Sequence, residues 1–153
     1  MKAEGRTPDD ELFARLAIAD RLLREALAES LRPLGLSWNE YLALRQAAHR
    51  HPLVSQLARE LGTTVAVAVR LIDDLERRGL VMRRPDEHDR RTKRVEPTGP
   101  GLSALRDARA TLATTTSDLW ADRPLGEAAQ FEQLLVGLIA RLKDDRRSIR
   151  ARP

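Results

Sequence analysis

Apolar residues recur every three or four positions near the start of the chain. Residues 9–32 carry Leu16, Leu23 and Leu27 at this spacing, which predicts an amphipathic helix. Further apolar residues make the stripe wider than a free surface helix needs. We therefore expect this helix to pack against partners on more than one side.

The next part of the sequence alternates short apolar helices with turn signals. Ser37 and Glu40 form a capping-box pattern, which predicts that a second helix begins directly after Ser37. A short third helix is expected to end at Gly62, since glycine readily adopts the left-handed conformation that follows a helix. Thr64 is the predicted N-cap of a fourth helix over residues 65–78.

The pattern then changes from helical spacing to two extended segments. Residues 80–83 (LVMR) and 94–97 (RVEP) predict strands, with a charged loop around residues 86–89 between them. Thr98 predicts the start of a long fifth helix, and a last helix follows a turn at residues 122–126. A helix followed by a basic two-stranded hairpin is the layout of a winged helix-turn-helix, a DNA-binding module.

These elements predict a mainly α-helical fold with a small β-wing of two to three strands. The winged helix-turn-helix would occupy residues 37–97. An N-terminal helix (residues 1–36) and two C-terminal helices (residues 98–153) would flank it. Because so small a chain cannot cover all their apolar stripes, we expect these helices to form a dimer interface, giving one intertwined domain.

Composition limits the possible functions more than it identifies one. The chain has no cysteine among its 153 residues, which excludes a disulfide framework, a thiol switch and a Cys-ligated zinc site. No apolar run approaches the roughly 20 residues of a membrane span, and the first residues do not form a secretory signal. We therefore expect a cytoplasmic protein without a membrane partner. The net charge of +4 is weak evidence for any partner.

Residues 57–101 resemble the MarR family of bacterial transcription regulators. The segments LARELGTT, RLIDDLERRGLV, RRPDEHDRR and TGPG stand in the order that the family shows, and the resemblance extends over about residues 9–142. Asp89, Arg91 and Thr98 match the family's wing pattern. The resemblance implies a homodimer with interlocking first, fifth and sixth helices, in which two winged modules read a palindromic operator. It also implies a regulator, in many members a repressor, that a small aromatic or phenolic ligand releases from DNA.

Within that resemblance, the wing arginines are the leading candidates for DNA contacts. We expect Arg91 to insert into a narrow minor groove, where the negative potential is strongest. Arg84, Arg90 and Lys93 are candidates for phosphate contacts. A carboxylate would be repelled by DNA, so we expect Asp89 to hold a wing arginine in place through a charge-assisted pair.

The fourth helix departs from the family pattern. Ala66, Val67 and Val69 stand where the family usually has serine or threonine, and none can donate a hydrogen bond from its side chain. Readout by this helix would therefore depend on apolar contact with thymine methyl groups. Affinity would depend more on Arg70, the wing and backbone amides. Asp74 replaces a common arginine and would repel a phosphate. The expected DNA contacts are Thr63, Thr64, Ala66, Val67, Val69, Arg70, Arg84, Arg90, Arg91 and Lys93.

The sequence indicates a ligand site less strongly than it indicates the DNA contacts. Trp38 and Tyr41 begin the second helix, which borders the ligand cleft in the family, and they could stack on an aromatic ligand. Packing in the core against the first helix is the alternative, and the one we favour. Arg15 and Arg45 are candidate anchors for an anionic ligand.

Two other classes of function compete with a regulator. The apolar fourth helix would also suit a MarR-like helical dimer with weakened DNA binding that acts as a small-molecule or protein-binding module. An enzyme is disfavoured, because the sequence shows no catalytic triad order, phosphate loop or isolated carboxylate pair. His49 and His51 lack the further ligands that zinc needs. We expect neither a metal nor another cofactor.

Overall fold

The computed structural model describes residues 8–86, 89, 92–122, 124 and 126–150. The chain forms two compact units, of which the first ends at Thr115 and the second begins at Thr116. The second unit contains the end of the fifth helix and the whole of the sixth.

Six α-helices and one two-stranded sheet make up the described residues. In chain order they are α1 (Pro8–Leu31), a 3-10 turn (Arg32–Leu34), α2 (Trp38–Arg50), α3 (Val54–Glu60), α4 (Val65–Arg77), β1 (Val81–Pro85), β2 (Lys93–Pro97), α5 (Gly99–Trp120) and α6 (Glu127–Arg150). The mainly α-helical fold with a small β-wing is thereby confirmed. Predicted and observed helix ends differ by only a residue or two, as expected where helices fray.

Side-chain caps fix the beginnings of the helices around the wing. The Ser37 amide donates to Glu40 Oε2 at 2.6 Å, and the Glu40 amide donates to Ser37 Oγ at 3.2 Å. This is the predicted capping box. The Thr64 hydroxyl accepts from the Val67 amide at 3.3 Å, which confirms Thr64 as the N-cap of α4. Gly62 has the expected left-handed φ of 65°.

The core of the first unit lies between α2, α3, α4, α5 and the inner side of the wing. Leu44, Leu57, Ile72, Leu75 and Val95 are all fully buried there. Burial of each such side chain contributes about 1.5–3 kcal/mol. Because α4 buries one side in this core, its orientation is fixed and its other side faces outward.

The wing is a short antiparallel hairpin. β1 and β2 pair in a register that runs from Val81 opposite Pro97 to Pro85 opposite Lys93. An isolated bridge between Leu53 and Arg94 joins the hairpin to the segment before α3. The wing is therefore attached to the rest of the first unit through β2 as well as at its base.

The two terminal helices carry exposed apolar side chains within the single chain. On α1 they are Leu12, Phe13, Ile18, Leu22 and Leu23, and on α6 they are Phe131, Leu134, Val136, Ile139 and Leu142. Within the described ranges, no helix has the length and hydropathy that crossing a membrane would require.

Candidate nucleic-acid interface

The outer side of the first two turns of α4, residues 65–70, is apolar except for one arginine. Val65, Val67 and Val69 are 53%, 48% and 38% exposed, and Ala66 and Arg70 are exposed as well. Helical periodicity places Ala66 and Arg70 one turn apart, with Val67 and Val69 on either side of them. Among the described residues, Arg70 has no ion-pair partner.

The two threonines before α4 take part in its N-terminal turn. Thr63 is half-buried, and its amide donates to the Ala58 carbonyl oxygen at 2.9 Å. Thr64 is exposed, and its hydroxyl oxygen accepts from the Val67 amide as the helix cap. The hydroxyl hydrogen of Thr64 remains available to an outside acceptor.

Arg83 joins the wing to α4. Its guanidinium donates to Asp73 Oδ1 at 2.6 Å and to Glu76 Oε2 at 2.5 Å. Its backbone amide donates to Glu76 Oε1 at 3.0 Å, and the arginine side chain is only 18% exposed. These contacts fix the direction of β1 relative to α4. They also offset the acidic charge of α4 beside its exposed face.

Asp86 organises the loop end of the wing. Its buried carboxylate forms an ion pair with Arg94 and accepts from the Asp89 amide at 3.2 Å. Arg94 also donates to the His51 carbonyl oxygen at 3.1 Å. The loop end of the hairpin is thereby held to the segment between α2 and α3.

The predicted wing-structuring residue, Asp89, contributes through its backbone. Its carbonyl oxygen accepts from the Thr92 amide at 2.9 Å and from the Thr92 hydroxyl at 3.0 Å. An ion pair between its carboxylate and a wing arginine stays a prediction. Arg91, on which the sequence interpretation placed the most weight, and Arg90 lie outside the described residues.

Two of the predicted phosphate contacts lie on the described part of the wing. Arg84 and Lys93 are both exposed. Arg84 Nε lies 3.1 Å from Glu96 Oε2 in an exposed ion pair. Within the described segments, Lys93 has no ion-pair partner. Their exposure leaves both cations accessible to an anionic partner.

At the other end of α4, Arg78 connects three elements. Its guanidinium donates to Glu40 Oε1 at 2.5 Å and to the Gly35 carbonyl oxygen at 2.7 Å. It also contacts Asp74 Oδ2 at 3.3 Å, and Arg77 pairs with the same carboxylate. The charge of Asp74 is therefore offset locally, which weakens the repulsion of phosphate expected from the sequence.

A family model described as MarR family matches residues 34–92, the segment from the turn before α2 through the wing loop. A solved MarR-family transcriptional regulator from Rhodococcus sp. RHA1 is similar, at 25% identity over 88% of this chain and 96% of that one, with a TM-score of 0.79. By this match, the winged module over residues 34–92 is of the MarR family.

Two further solved structures extend the comparison. CouR from Rhodococcus jostii RHA1, solved with bound p-coumaroyl-CoA, is 26% identical over 88% of this chain and 95% of CouR, with a TM-score of 0.76. The transcriptional regulator BldR from Sulfolobus solfataricus is also 26% identical, over 91% of this chain and 99% of BldR, with a TM-score of 0.73. The similarity therefore includes the terminal helices as well as the winged module.

The residues proposed from sequence for a ligand lie on α1 and α2. Trp38 and Tyr41 do lie together, with ring centroids 5.3 Å apart, but Tyr41 is buried in the core and Trp38 packs against it. Arg45 is exposed on α2. Arg15 is exposed on α1, with its Nε 3.2 Å from Glu11.

A cavity of about 380 Å³ lies instead between the end of α2 and the first turns of α5. Ala48, Leu102 and Leu105 form its apolar part, and His49, Arg106 and Arg109 form its polar part. Sequence reasoning missed the last two as site residues, although two arginines three positions apart on one helix lie on the same side. Among the residues that the structure describes, no group of three His, Asp or Glu side chains could hold a metal ion.

Proposed function

We propose that this MarR-family chain is a homodimeric, DNA-binding transcriptional regulator that is released from DNA by a small ligand. The observation that carries the proposal is the outward face of α4. There Arg70 is exposed without an ion-pair partner in the described chain, beside a wing that exposes Arg84 and Lys93. A helix with a basic hairpin at its side suits a major groove and its flanking phosphates.

Dimerisation is supported by the terminal helices. Exposed apolar side chains such as Phe13 and Leu22 on α1 and Leu134 on α6 would be costly to leave in water. A two-fold dimer would bury them and present two copies of α4. Such a dimer reads half-sites about one helical turn apart, so we propose a palindromic operator.

The α2–α5 cavity supports a ligand of aromatic or other apolar character with a negative charge. Leu102 and Leu105 supply an apolar wall, and Arg106 and Arg109 can pair with a carboxylate or phosphate. CouR was solved with an acyl-CoA of this general chemistry. We propose that the ligand favours a conformation in which the two α4 helices no longer match adjacent grooves, which would relieve repression. We propose no enzymatic activity, and a cytoplasmic location follows from the regulatory role.

A second function has one observation in its favour. The exposed Val67 and Val69 could contact a protein rather than DNA, which would make the chain a MarR-like module that binds a small molecule or protein and has weakened DNA binding. The basic residues around the valines argue against this function, since a groove lined by phosphates matches them better.

Selection from a randomised duplex pool tests the proposal and identifies the operator sequence in the same experiment. The purified full chain is mixed with the pool at low salt, and bound duplexes are amplified and sequenced over several rounds. We expect enrichment of an inverted repeat. A pool that stays random at every round would contradict DNA-binding regulation and favour the second function.

A further inference from the structure

We propose that α4 recognises the C5-methyl groups of thymines in the major groove, and that Val67 and Val69 set this preference. The inference rests on the proposed DNA-binding function and specifies what the helix reads. It predicts an operator in which thymines occupy the steps beside the groove contact of Arg70.

The exposed start of α4 carries almost no hydrogen-bonding side chains. Over its first two turns, from Val65 to Arg70, the outward side chains are valines and an alanine until Arg70 is reached. Thr64, just before the helix, accepts from the Val67 amide and keeps its hydroxyl hydrogen as a donor. From Val65 to Arg70, Arg70 is the single side chain that can donate to a base edge.

Placing a valine against a G·C pair costs free energy. The major-groove edge of a G·C pair presents the guanine N7 and O6 acceptors and the cytosine N4 donor, and valine can satisfy none of them. A polar edge that loses water without gaining a partner destabilises the complex. Thymine adds a methyl group at C5, where cytosine has only a hydrogen. Contact between this methyl and a valine removes apolar surface from water. The helix therefore discriminates by excluding polar edges as well as by contacting methyls.

The positions of the two valines on the helix also suit a groove. Val67 and Val69 lie on opposite sides of the line through Ala66 and Arg70. The small Ala66 allows the helix to approach the groove floor closely, and the two valines then face base steps on either side. Arg70, Arg84 and Lys93 surround this apolar face with positive charge, which suits a polyanion better than an apolar protein partner.

Substituting deoxyuridine for thymidine provides the test, because it removes only the methyl group. Affinity of the wild-type dimer is measured by fluorescence anisotropy on the selected duplex and on duplexes with one thymine replaced at a time in each half-site. We expect a loss of about fourfold for each contacted methyl, which corresponds to one buried carbon. Replacements in the flanking sequence should have no effect.

Two variants connect the effect to the valines. Val67→Thr and Val69→Thr keep the shape of the side chain but replace a methyl by a hydroxyl, and both positions are exposed, so the fold should be unaffected. We expect each variant to reduce the penalty for deoxyuridine at its own step to less than twofold. The matched control is Lys93→Ala, which should weaken binding to the thymine and uracil duplexes equally.

The outcomes separate this inference from the proposed function. If the selected duplex binds with strong salt dependence but every uracil duplex binds as tightly as its parent, methyl recognition is overturned and DNA binding stands. The same holds if the selected half-sites contain only G·C pairs at the contacted steps. If no duplex is enriched at all, both the inference and the proposed function are overturned.

Discussion

At the scale of single residues, Asp86 is central to the stability of the wing. Its buried carboxylate pairs with Arg94 and accepts from the Asp89 amide. A second ion pair in the same hairpin, between Arg84 and Glu96, is much more exposed. The two pairs therefore allow a buried and an exposed charge to be compared within one element.

Asp86→Ala should lower the free energy of unfolding by about 3 kcal/mol, because it leaves the guanidinium of Arg94 without its buried partner. Glu96→Ala serves as the matched control and should cost less than about 1 kcal/mol, as exposed pairs do. Urea denaturation followed by circular dichroism measures both. Equal losses in the two variants would show that the buried pair has no special role.

Gly101 lies in the first turn of α5. It packs against Leu80, the residue that precedes β1. A Cβ atom at this position would lie 1.9 Å from the Leu80 carbonyl oxygen and 2.9 Å from its carbonyl carbon. Both are backbone atoms and cannot rotate away. Only glycine allows the helix to pass so close to Leu80.

Gly101→Ala should therefore destabilise the chain by about 3 kcal/mol or more, since the backbone must shift to admit the methyl. Gly99→Ala is the control on the same helix. A Cβ there would meet nothing within 4 Å, so its stability should be unchanged or raised by up to about 1 kcal/mol. Thermal unfolding of both variants decides the matter, and a Gly101→Ala protein as stable as the wild type would contradict the close approach.

At the scale of elements, local signals in the sequence predicted the helices and the hairpin well. Capping at Ser37 and Thr64 depends on residues only three positions apart, so both helix starts could be read directly. The contacts that connect elements far apart in the sequence could not be predicted in this way. Arg78 and Glu40 are separated by 38 residues, and nothing local distinguishes Arg78 from Arg77 as the one that reaches α2.

The same limit explains how far the site could be predicted. The exposure of the valines on α4 could be predicted, because the helical spacing of the buried residues is visible in the sequence. Asp86 and Asp89 are both acidic wing residues, and only the fold reveals that Asp86 is buried against Arg94. Arg83 is a basic residue of the wing, yet its charge is used within the protein against Asp73 and Glu76.

The Arg83 contacts predict that this residue orients the wing without touching DNA. Arg83→Ala should weaken DNA binding severalfold, because the wing loses its fixed direction and two carboxylates beside α4 lose their partner. The slope of log affinity against log salt should stay the same. Lys93→Ala should lower affinity and also reduce that slope by about one unit, as the loss of a phosphate contact does. A reduced slope in Arg83→Ala would assign that residue to DNA instead.

At the scale of the whole molecule, the apolar faces of α1 and α6 predict a dimer. Leu22→Glu on α1 and Leu134→Glu on α6 should each shift the protein toward monomers and reduce its affinity to that for a single half-site. Arg21→Ala is the control, since Arg21 makes only an exposed pair with Glu25 at 2.8 Å. Sedimentation velocity measures the association state. A monomeric wild-type chain at micromolar concentration would contradict the dimer.

The most direct test of DNA-binding regulation is the salt dependence of affinity for the selected duplex, measured by anisotropy for the wild type and for Arg70→Ala. If α4 and the wing face DNA, wild-type affinity falls steeply as salt rises, by about 0.9 log units per phosphate contact for each tenfold increase. Arg70→Ala then weakens binding at least tenfold at low salt. Weak binding that is equal for scrambled DNA and unchanged in Arg70→Ala would contradict a role of this surface in DNA recognition.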